Sequence, residues 1–418
     1  QNEFSEHGYH LPTYEECRQI CDANDNFLFY ETKHQVEGFN ISIFNYRLAS
    51  FSHFDNPVPG KPELKGYELR GLTFVFNKDG SVYNRYLLLD KFFNIDQTPC
   101  SAYSVLKNYK IKSVFNKEDG SIASFVKLPN GSVIGKSKAS FESDQSIEIQ
   151  KIYDEDPNIR IFVDDCLDKD IIPIFEYVSP RNRIVLTYTN TKLILLRLRD
   201  NKTGEYLDVD DHKEHLTGIT VAESYDDKGL DDLIELKSIE KDKEGWVVQF
   251  TNGKMAKLKT DWYCDLHGLY TDDINRENRI IAMILDETID DVIAKLGDQT
   301  NGDNTSDIPN DMQDVIDGIE ETIDVVNFKM SQMKNDVDDL LSKYEGDIEG
   351  DPDFYNVKHF ALKYKKEKMF PVAIRYINRK IDIIENIKSI IRRETSNLLQ
   401  ARKWLKNAEE EYRNKSLK

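Results

Sequence analysis

The chain has 418 residues, of which 31% are charged and 39% hydrophobic, a composition typical of a water-soluble globular protein with two or three domains. No apolar run approaches the roughly 18 residues that a membrane-spanning helix needs, and the first residues, Gln1-Asn2-Glu3, are too polar for a signal peptide. An odd number of scattered cysteines argues against a disulfide framework and indicates a reducing compartment; they are Cys17, Cys21, Cys100, Cys166 and Cys264.

The net charge of −19 argues at first against nucleic acid as a partner, but the charge is distributed unevenly. Residues 358–418 carry 17 Lys and Arg against 7 Asp and Glu, a net charge of +10, so the other 357 residues carry −29. This asymmetry makes the C-terminal segment a candidate surface for nucleic acid, with a solvated basic face as the alternative.

Residues 1–300 contain short runs of β-branched and aromatic residues that end in Asn-Gly or Asp-Gly, a pattern that predicts antiparallel hairpins. Helical patterns intervene near 11–24, 144–169 and 275–296. Together they predict an α+β domain built on antiparallel sheet. The clearest predicted strands are 72–76, 123–128, 184–188 and 246–250.

The stretch 298–310 is polar and has no apolar periodicity, which predicts a linker. We place the linker at 301–310, between a first domain at 1–300 and a second domain at 311–418.

From Ile316 to Tyr344, apolar residues recur at alternating steps of three and four, a pattern that predicts one long helix. Glycines and a proline over 345–353 predict a break, and a second helix is expected near 357–364. Pro371 suits the first turn of a third helix, which would run through Ile391 toward Leu405. The simplest all-α arrangement is a long antiparallel helical hairpin or a small bundle.

Lys117-Glu118-Asp119-Gly120 is the segment that most strongly suggests chemistry. A lysine in this setting can attack the α-phosphate of a nucleotide and form a phosphoramide bond. The tetrapeptide alone is weak evidence, because Asp-Gly is also a common hairpin turn.

Six further segments accompany Lys117 in a defined order. The most telling contains Glu176 within Ile174–Val178, because a carboxylate among apolar residues is costly to bury without a cation. Lys257 and Lys259 alternate on one strand face, for which solvation is the alternative explanation. The segments are Tyr67-Glu68-Leu69-Arg70-Gly71, Lys91-Phe92-Phe93-Asn94, Gly135-Lys136-Ser137-Lys138, Phe175-Glu176-Tyr177-Val178, Lys243-Glu244-Gly245-Trp246-Val247-Val248 and Ala256-Lys257-Leu258-Lys259-Thr260-Asp261-Trp262.

In order and spacing, these segments resemble the covalent nucleotidyltransferase superfamily of polynucleotide ligases and capping enzymes. They are most similar to the ATP-dependent RNA ligase 1 family, whose phage-type member seals RNA breaks. The resemblance covers roughly residues 25–295 and implies an antiparallel-sheet nucleotidyltransferase fold. Ile122 stands where DNA ligases and capping enzymes usually have an arginine, which argues against these two classes and favours an RNA ligase. The resemblance implies that Arg70 supplies the positive charge of the missing arginine. Further supporting segments are Pro180–Val185, Thr203-Gly204-Glu205-Tyr206 and Lys259–Tyr263.

The resemblance implies that Lys117 attacks ATP and forms a lysyl-AMP, which then activates an RNA 5′-phosphate for attack by an RNA 3′-OH. The catalytic residues that it implies are Lys117, Asp119, Gly120, Glu176, Lys257 and Lys259. The implied ATP-binding residues are Arg70, Lys91, Phe93, Glu118, Lys138, Glu176, Glu244, Val247, Lys257 and Lys259. The candidate ligands for Mg²⁺ or Mn²⁺ are Glu176, Glu244, Asp290 and Asp291. The candidate RNA contacts are Lys136, Lys365, Lys366, Arg392 and Arg393.

The predicted function is therefore ATP-dependent joining of RNA 3′-OH and 5′-phosphate ends in RNA repair, with cleaved tRNA as a candidate substrate. A polynucleotide kinase-phosphatase is a candidate partner that would prepare the ends, and no membrane partner is expected. The resemblance implies cytoplasmic action, in a family that occurs in phages. Two alternatives stay open: a nucleotidyltransferase that acts on DNA ends or on a protein, and a non-catalytic RNA-binding relative.

Overall fold

The computed structural model describes residues 10–180, 190–266, 276–299, 310–353 and 355–416. Over these residues the α+β class is confirmed, because antiparallel sheets form the first part and only helices follow residue 310. The predicted strand at 184–188, the family segment at 181–185 and the predicted linker up to residue 309 lie outside the described residues.

The strands, in chain order, are β1 (Phe29–Val36), β2 (Phe39–Tyr46), β3 (Leu72–Phe76), β4 (Val82–Tyr86), β5 (Phe93–Asn94), β6 (Ile111–Lys117), β7 (Ser121–Lys127), β8 (Val133–Ser137), β9 (Ile171–Val178), β10 (Lys192–Asp200), β11 (Tyr206–Leu207), β12 (Thr220–Val221), β13 (Gly245–Phe250) and β14 (Met255–Lys259). The helices are α1 (Tyr14–Ala23), α2 (Phe51–Asp55), α3 (Tyr103–Leu106), α4 (Asp144–Glu155), α5 (Pro157–Asp168), α6 (Leu230–Lys237), α7 (Asp261–Leu266), α8 (Glu277–Leu285), α9 (Ile289–Gln299), α10 (Asn310–Gly350), α11 (Val357–Tyr364), α12 (Phe370–Arg379), α13 (Ile383–Glu394) and α14 (Leu398–Ser416). Two 3₁₀ segments lie at Pro99–Ser101 and Val209–His215.

The first sheet is antiparallel and contains β1 to β4 in chain order. Glu37 and Gly38 join β1 to β2, and both have positive φ, as a two-residue type I′ hairpin turn requires. Phe29, Phe44 and Phe74 pack with residues of α1 in one buried aromatic cluster. Arg70 lies two residues before β3, so its segment leads directly into this sheet.

The second sheet has the strand order β11-β10-β9-β7-β8, with the short β12 pairing parallel to β10. Its central strands β9 and β10 are buried almost throughout, and helices α4 and α5 pack against the sheet. The side chain of Asp156 caps the start of α5 by accepting hydrogen bonds from the backbone N–H groups of Asn158 and Ile159, and Pro157 occupies the first turn.

The third sheet has the order β5-β14-β13-β6 and is antiparallel except for the β5–β14 pair. Strand β6 belongs to this sheet, whereas β7, which follows after Gly120, belongs to the second sheet. The short turn Glu118–Gly120 therefore connects two sheets and is not the tip of a hairpin within one sheet. This topology places Lys117 where the two sheets meet.

The chain divides into two compact units. The described residues of 1–269 and 293–306 form one unit, and those of 270–292 and 307–418 form the other. The second unit thus includes α8, which the sequence analysis assigned to the first domain. The functional division into domains remains a prediction.

Helix α10 carries the predicted heptad pattern on its buried side, from Ile316 through Met330 to Leu340. The predicted break at 345–353 is wrong in its position, because α10 continues through Gly346 and ends at Gly350, just before Pro352. A single exposed glycine costs a helix only about 1 kcal/mol relative to alanine, which a helix of this length tolerates. Helices α8, α12, α13 and α14 pack against α10, so the unit is a small bundle.

The predicted third helix is three helices, α12, α13 and α14. Lys380 has a left-handed conformation with φ of 52° and ends α12. Asp382 then caps α13 by accepting a hydrogen bond from the backbone N–H of Glu385. The conformation of Lys380 and the cap at Asp382 therefore separate α12 from α13, although the apolar spacing in the sequence continues across both helices.

Within the described part of the chain, no helix combines the length and the apolar character needed to cross a membrane. All five cysteines are free thiols.

Candidate active site

Lys117 is the last residue of β6 and lies in register with β13, the neighbouring strand of the third sheet. Gly245 of β13 pairs with Lys117 on one side and with Lys259 of β14 on the other. Glu244 immediately precedes Gly245, and its carboxylate Oε1 lies 2.6 Å from Lys117 Nζ. The Glu244 side chain is only 4% exposed, whereas that of Lys117 is 24% exposed. The candidate nucleophile thus reaches solvent while its acidic partner is buried.

Gly120 brings the turn after Lys117 against the second sheet. Its backbone N–H donates a 3.0 Å hydrogen bond to Oε1 of Glu176 on β9. A Cβ atom at Gly120 would lie 2.3 Å from the carbonyl oxygen of Tyr177, which is closer than real contacts allow. Ile122, two residues further along, pairs in register with Glu176. Glycine is therefore required here by close packing, and the Glu176 carboxylate is fixed beside the nucleophile's turn.

The environment of Glu176 disfavours its charge. Burial, assisted by the nearby Glu244 carboxylate, raises the pKa of this carboxyl to about 8 against the opposing effects of Lys117, the Gly120 N–H and Arg70. A carboxyl with a strongly raised pKa in a cleft is a common property of functional sites.

Two other residues of the turn have defined partners. The Tyr263 hydroxyl donates a hydrogen bond of 3.1 Å to the buried Asp119 carboxylate. The Asn116 amide donates one of 2.7 Å to the Glu118 carboxylate, which lines the cleft described next. These bonds orient the turn from both sides.

Lys117 opens into a cleft of about 460 Å³, which is within the size range typical of small-ligand sites. Its cations are Arg70, Lys91, Lys138 and Lys257, so four of the predicted phosphate-binding groups share one cavity with Lys117. The Lys91 and Lys138 ammonium groups lie 5.2 Å and 5.4 Å from the centroid of the same Tyr46 ring. Four cations that line one cleft favour an anionic ligand.

Arg70 is held at the wall of the cleft by its own contacts. Its Nη1 donates a 3.3 Å hydrogen bond to the carbonyl of Asp90, and its guanidinium lies 5.6 Å from the centroid of the Phe92 ring. Its buried Nε has no acceptor among the described residues. This unused donor is consistent with a polar ligand that is bound in the cleft.

The remaining walls of the cleft are apolar. Val247 was predicted to contact the nucleotide, and it lies there beside Phe92, Phe115 and Leu196. An apolar slot next to a cluster of cations is suited to a molecule with a flat base at one end and phosphates at the other.

Two predicted residues, Lys259 and Phe93, lie elsewhere than expected. Lys259 is not among the residues that line the cleft, and its ammonium group lies 5.6 Å from the centroid of the Tyr263 ring. Phe93 packs in an aromatic cluster with Phe54 and Tyr67, and its neighbour Phe92 lines the cleft instead.

The buried position of Lys136 does not fit the RNA contact predicted for this residue. Its side chain is 1% exposed and donates a 3.3 Å hydrogen bond to the carbonyl of Gly71. Burial, reinforced by the charge of Lys138, lowers the pKa of its amine to about 7. Lys136 therefore has a packing role beneath the cleft.

A buried network that was not predicted from the sequence connects three of the family-like segments. Arg199 Nη2 lies 2.7 Å from Glu68 Oε1, and Arg199 Nη1 lies 2.8 Å from Glu68 Oε2. The Tyr206 hydroxyl bonds the Asp90 carboxylate and accepts a 3.0 Å hydrogen bond from the Asp90 backbone N–H. Since Glu68 and Asp90 stand two and one residues before Arg70 and Lys91, this network positions both cleft cations. Only its neighbouring segments, Glu68–Gly71 and Thr203–Tyr206, signalled it in the sequence.

The remaining predicted residues lie in the second unit. Asp290 and Asp291 occupy the first turn of α9. Lys365, Lys366, Arg392 and Arg393 are exposed, and Arg392 is paired with Asp286 at 2.6 Å. Metal and RNA contacts at these residues remain predictions.

Comparison with known proteins identifies the part of the chain that carries the site. A family model described as RNA ligase matches residues 68–263. A Thermovibrio ammonificans protein named "Putative RNA ligase" is 27% identical over 259 residues, which cover 60% of this chain and 64% of that protein.

Two solved structures are also similar. The archaeal ATP-dependent RNA ligase, form 1, has a TM-score of 0.46 at 12% identity, covering 72% of this chain and 75% of that one. The Naegleria gruberi RNA ligase with PPi has a TM-score of 0.32 at 14% identity, covering 39% of this chain and 53% of that one.

The matched range begins with the segment that contains Arg70 and ends at Tyr263, and it includes Lys117 and both of its neighbouring carboxylates. The sequence resemblance is therefore confirmed at the level of the family. Residues 68–263, the part of the chain that carries this site, match the RNA ligase family.

Proposed function

We propose that this protein is an ATP-dependent RNA ligase that joins RNA 3′-OH and 5′-phosphate ends through an adenylate on Lys117. The observation that carries the proposal is the position of Lys117. Its amine pairs with the buried Glu244 carboxylate at the end of a strand and opens into a cleft that contains four cations, while Glu176 accepts a hydrogen bond from the turn that follows. The match of residues 68–263 to the RNA ligase family supports RNA as the molecule that is joined.

In the first step, the Lys117 amine attacks the α-phosphorus of ATP, a P–N bond forms and pyrophosphate leaves. The amine must lose a proton before it can attack, and Glu244, 2.6 Å away, is within hydrogen-bonding reach to accept it. Arg70, Lys91 and Lys257 line the cleft and would neutralise charge that develops on the phosphate oxygens.

The next two steps consume the adenylate. An oxygen of the RNA 5′-phosphate attacks the same phosphorus and breaks the P–N bond, which regenerates the Lys117 amine. The RNA 3′-oxygen then attacks the activated 5′-phosphorus, loses its proton and displaces AMP. The same cations would serve all three steps, because each step places negative charge on oxygens around one phosphorus.

A divalent cation is expected for this chemistry, and the carboxylates beside Lys117 fit one in a specific way. No group of three or more His, Cys, Asp or Glu side chains forms a ligand cluster among the described residues. Glu176 and Glu244, however, are two buried carboxyls close enough to raise the pKa of one of them. Mg²⁺ is commonly held by one or two carboxylates together with substrate phosphates and water, so these two residues would hold it. When bound, it would supply further charge neutralisation at the phosphates.

A sealing assay tests the proposal. The substrates are a nicked RNA duplex with 5′-phosphate and 3′-OH ends and a DNA duplex of the same sequence, each with ATP and Mg²⁺. We expect ATP-dependent sealing of RNA that disappears in Lys117→Ala. Sealing of DNA alone would overturn the RNA assignment, and RNA sealing that survives Lys117→Ala would overturn the mechanism.

A further inference from the structure

A second cavity lies beside the Lys117 cleft on the same face of the third sheet. Alternate residues of a strand share one face, and on β13 Val247 lines the cleft while Gln249 lines the second cavity. On β14, Lys257 and Met255 repeat this arrangement. The two cavities share two wall residues, Lys91 and Phe92. A ligand in the second cavity would therefore be adjacent to the site of nucleotide chemistry.

Gln249 is the feature of this cavity that points to a ligand. The residue is only 4% exposed, and it is one of the lining residues of the cavity. Among the residues that the structure describes, none hydrogen-bonds its side-chain amide. Neither amide atom is sealed inside the protein, so the amide faces the cavity and can both donate a hydrogen bond to a bound molecule and accept one from it.

The rest of the lining indicates what kind of molecule fits. Phe92 and Tyr206 contribute aromatic walls, and Lys112 and Lys254 contribute positive charge. Lys112 is exposed, whereas partial burial lowers the pKa of the Lys254 amine. Aromatic walls, an amide and lysines together match a nucleobase with its phosphate.

The size of the cavity limits the ligand further. Its volume is about 240 Å³, somewhat below the roughly 300–1,000 Å³ of sites for larger ligands, so it suits one base with its sugar. In the proposed function, ATP occupies the cleft that contains Lys117. The acceptor strand must then approach along a neighbouring surface, and the second cavity shares its wall with that cleft.

We propose that the second cavity binds a single nucleotide at the end of the RNA strand to be sealed, with Gln249 bonding the base and Lys112 the adjacent phosphate. This inference rests on the proposed function, because it assigns a place to the RNA of that reaction. The proposed ligand of the second cavity is a nucleotide of the RNA strand and not a free nucleotide.

The first test separates enzyme adenylylation from RNA sealing. Two variants, Gln249→Leu and Lys112→Ala, are compared with Lys110→Ala, which removes an exposed lysine that does not line the cavity. We expect both cavity variants to form the Lys117 adenylate at a normal rate but to lose about tenfold in the rate of sealing at limiting RNA. Lys110→Ala should match the wild type in both measurements. Normal sealing by both cavity variants would overturn the proposal.

The second test uses the wild-type protein, so it does not depend on how a variant folds. RNA that carries a photoreactive 4-thiouridine at its terminal position is irradiated with the protein, and the cross-linked peptides are identified by mass spectrometry. We expect the peptides that contain Gln249–Met255, and excess free AMP should not compete with them. Cross-links elsewhere, or their complete loss with AMP, would overturn the assignment to an RNA nucleotide. Failure of the proposed function would instead appear as absence of any adenylate on Lys117.

Discussion

The backbone N–H of Gly120 donates a 3.0 Å hydrogen bond to the carboxyl of Glu176, which ties the turn after Lys117 to the centre of the second sheet. Because the turn joins two sheets, this contact sets the position of the candidate nucleophile relative to the cations of the cleft. The first two predictions concern this pair.

Replacing Gly120 by alanine should damage both stability and activity. The added Cβ would lie 2.3 Å from the Tyr177 carbonyl oxygen, so the turn must move away from Glu176. We expect a loss of about 1–3 kcal/mol in the free energy of unfolding, as overpacking usually costs, with little remaining adenylylation. Gly229→Ala is the matched control, because its Cβ would meet nothing closer than 3.4 Å. Equal behaviour of the two variants in urea denaturation and adenylylation would contradict this account.

Glu176 should make the stability of the protein depend on pH. Its pKa of about 8 in the folded protein exceeds the ordinary 4.5, so folding favours the protonated form. The stabilisation is complete below pH 4.5 and is lost as pH rises toward 8, by at most about 1.4 kcal/mol per pH unit.

Glu176→Gln should therefore lose less stability than the wild type between pH 5 and pH 8, as measured by urea denaturation. The lowered pKa of Lys136 acts in the opposite direction, since its contribution is lost as pH falls through about 7. That contribution is common to both proteins and cancels in the comparison. Parallel stability curves for the wild type and Glu176→Gln would show that the pKa of Glu176 is not raised.

Much of the site follows from sequence order, because the segments that contain Lys117, Glu176 and Glu244 do converge. Sequence could not decide between Phe92 and Phe93, since they are adjacent residues of the same type and only Phe93 belongs to the two-residue strand β5. Strand pattern alone also cannot distinguish a solvated lysine from one that lies beneath a cleft, as Lys136 does.

The contacts that hold the segments in place were beyond prediction for a different reason. Glu68 and Arg199 are 131 positions apart, and neither belongs to a periodic pattern that marks a partner. The helical unit shows the same limit, because Lys380 ends a helix through its backbone conformation while the apolar spacing continues. Local patterns predict elements well, but pairing across the fold depends on the completed topology.

Arg199 should be among the most stabilising polar residues of the protein. Its guanidinium and the Glu68 carboxylate are both almost completely buried, so Arg199→Met leaves an uncompensated charge at Glu68. We expect a loss of about 3–5 kcal/mol in the free energy of unfolding. The double variant Glu68→Gln with Arg199→Met should recover part of this loss.

The matched control for this prediction is Arg402→Met, which breaks an ion pair with Glu277 at 3.0 Å in which the arginine side chain is 56% exposed. Exposed pairs contribute only about 0–1 kcal/mol. If the two single variants unfold at the same urea concentration, the buried pair does not have the role assigned to it.

The exposed lysines Lys365 and Lys366 should contribute to RNA affinity through phosphate contacts. Each contact to a single strand contributes about 0.7 to the slope of log K against log salt, so removing both should reduce that slope by about 1.4. Binding of labelled RNA to Lys365→Ala/Lys366→Ala is measured over a salt series. The control is Lys334→Ala/Lys343→Ala, whose lysines are paired with Asp338 and Asp339. An unchanged slope in the first variant would place the RNA elsewhere.

The most direct measurement is the mass of the peptide that contains Lys117 after incubation with ATP and Mg²⁺. The proposed function predicts that this peptide gains the mass of one AMP through an acid-labile bond, and that RNA with a 5′-phosphate end then removes it. Lys110→Ala, an exposed lysine outside the cleft, should show the same gain. A wild-type protein that gains no AMP, or that carries it on a residue other than Lys117, would contradict the account.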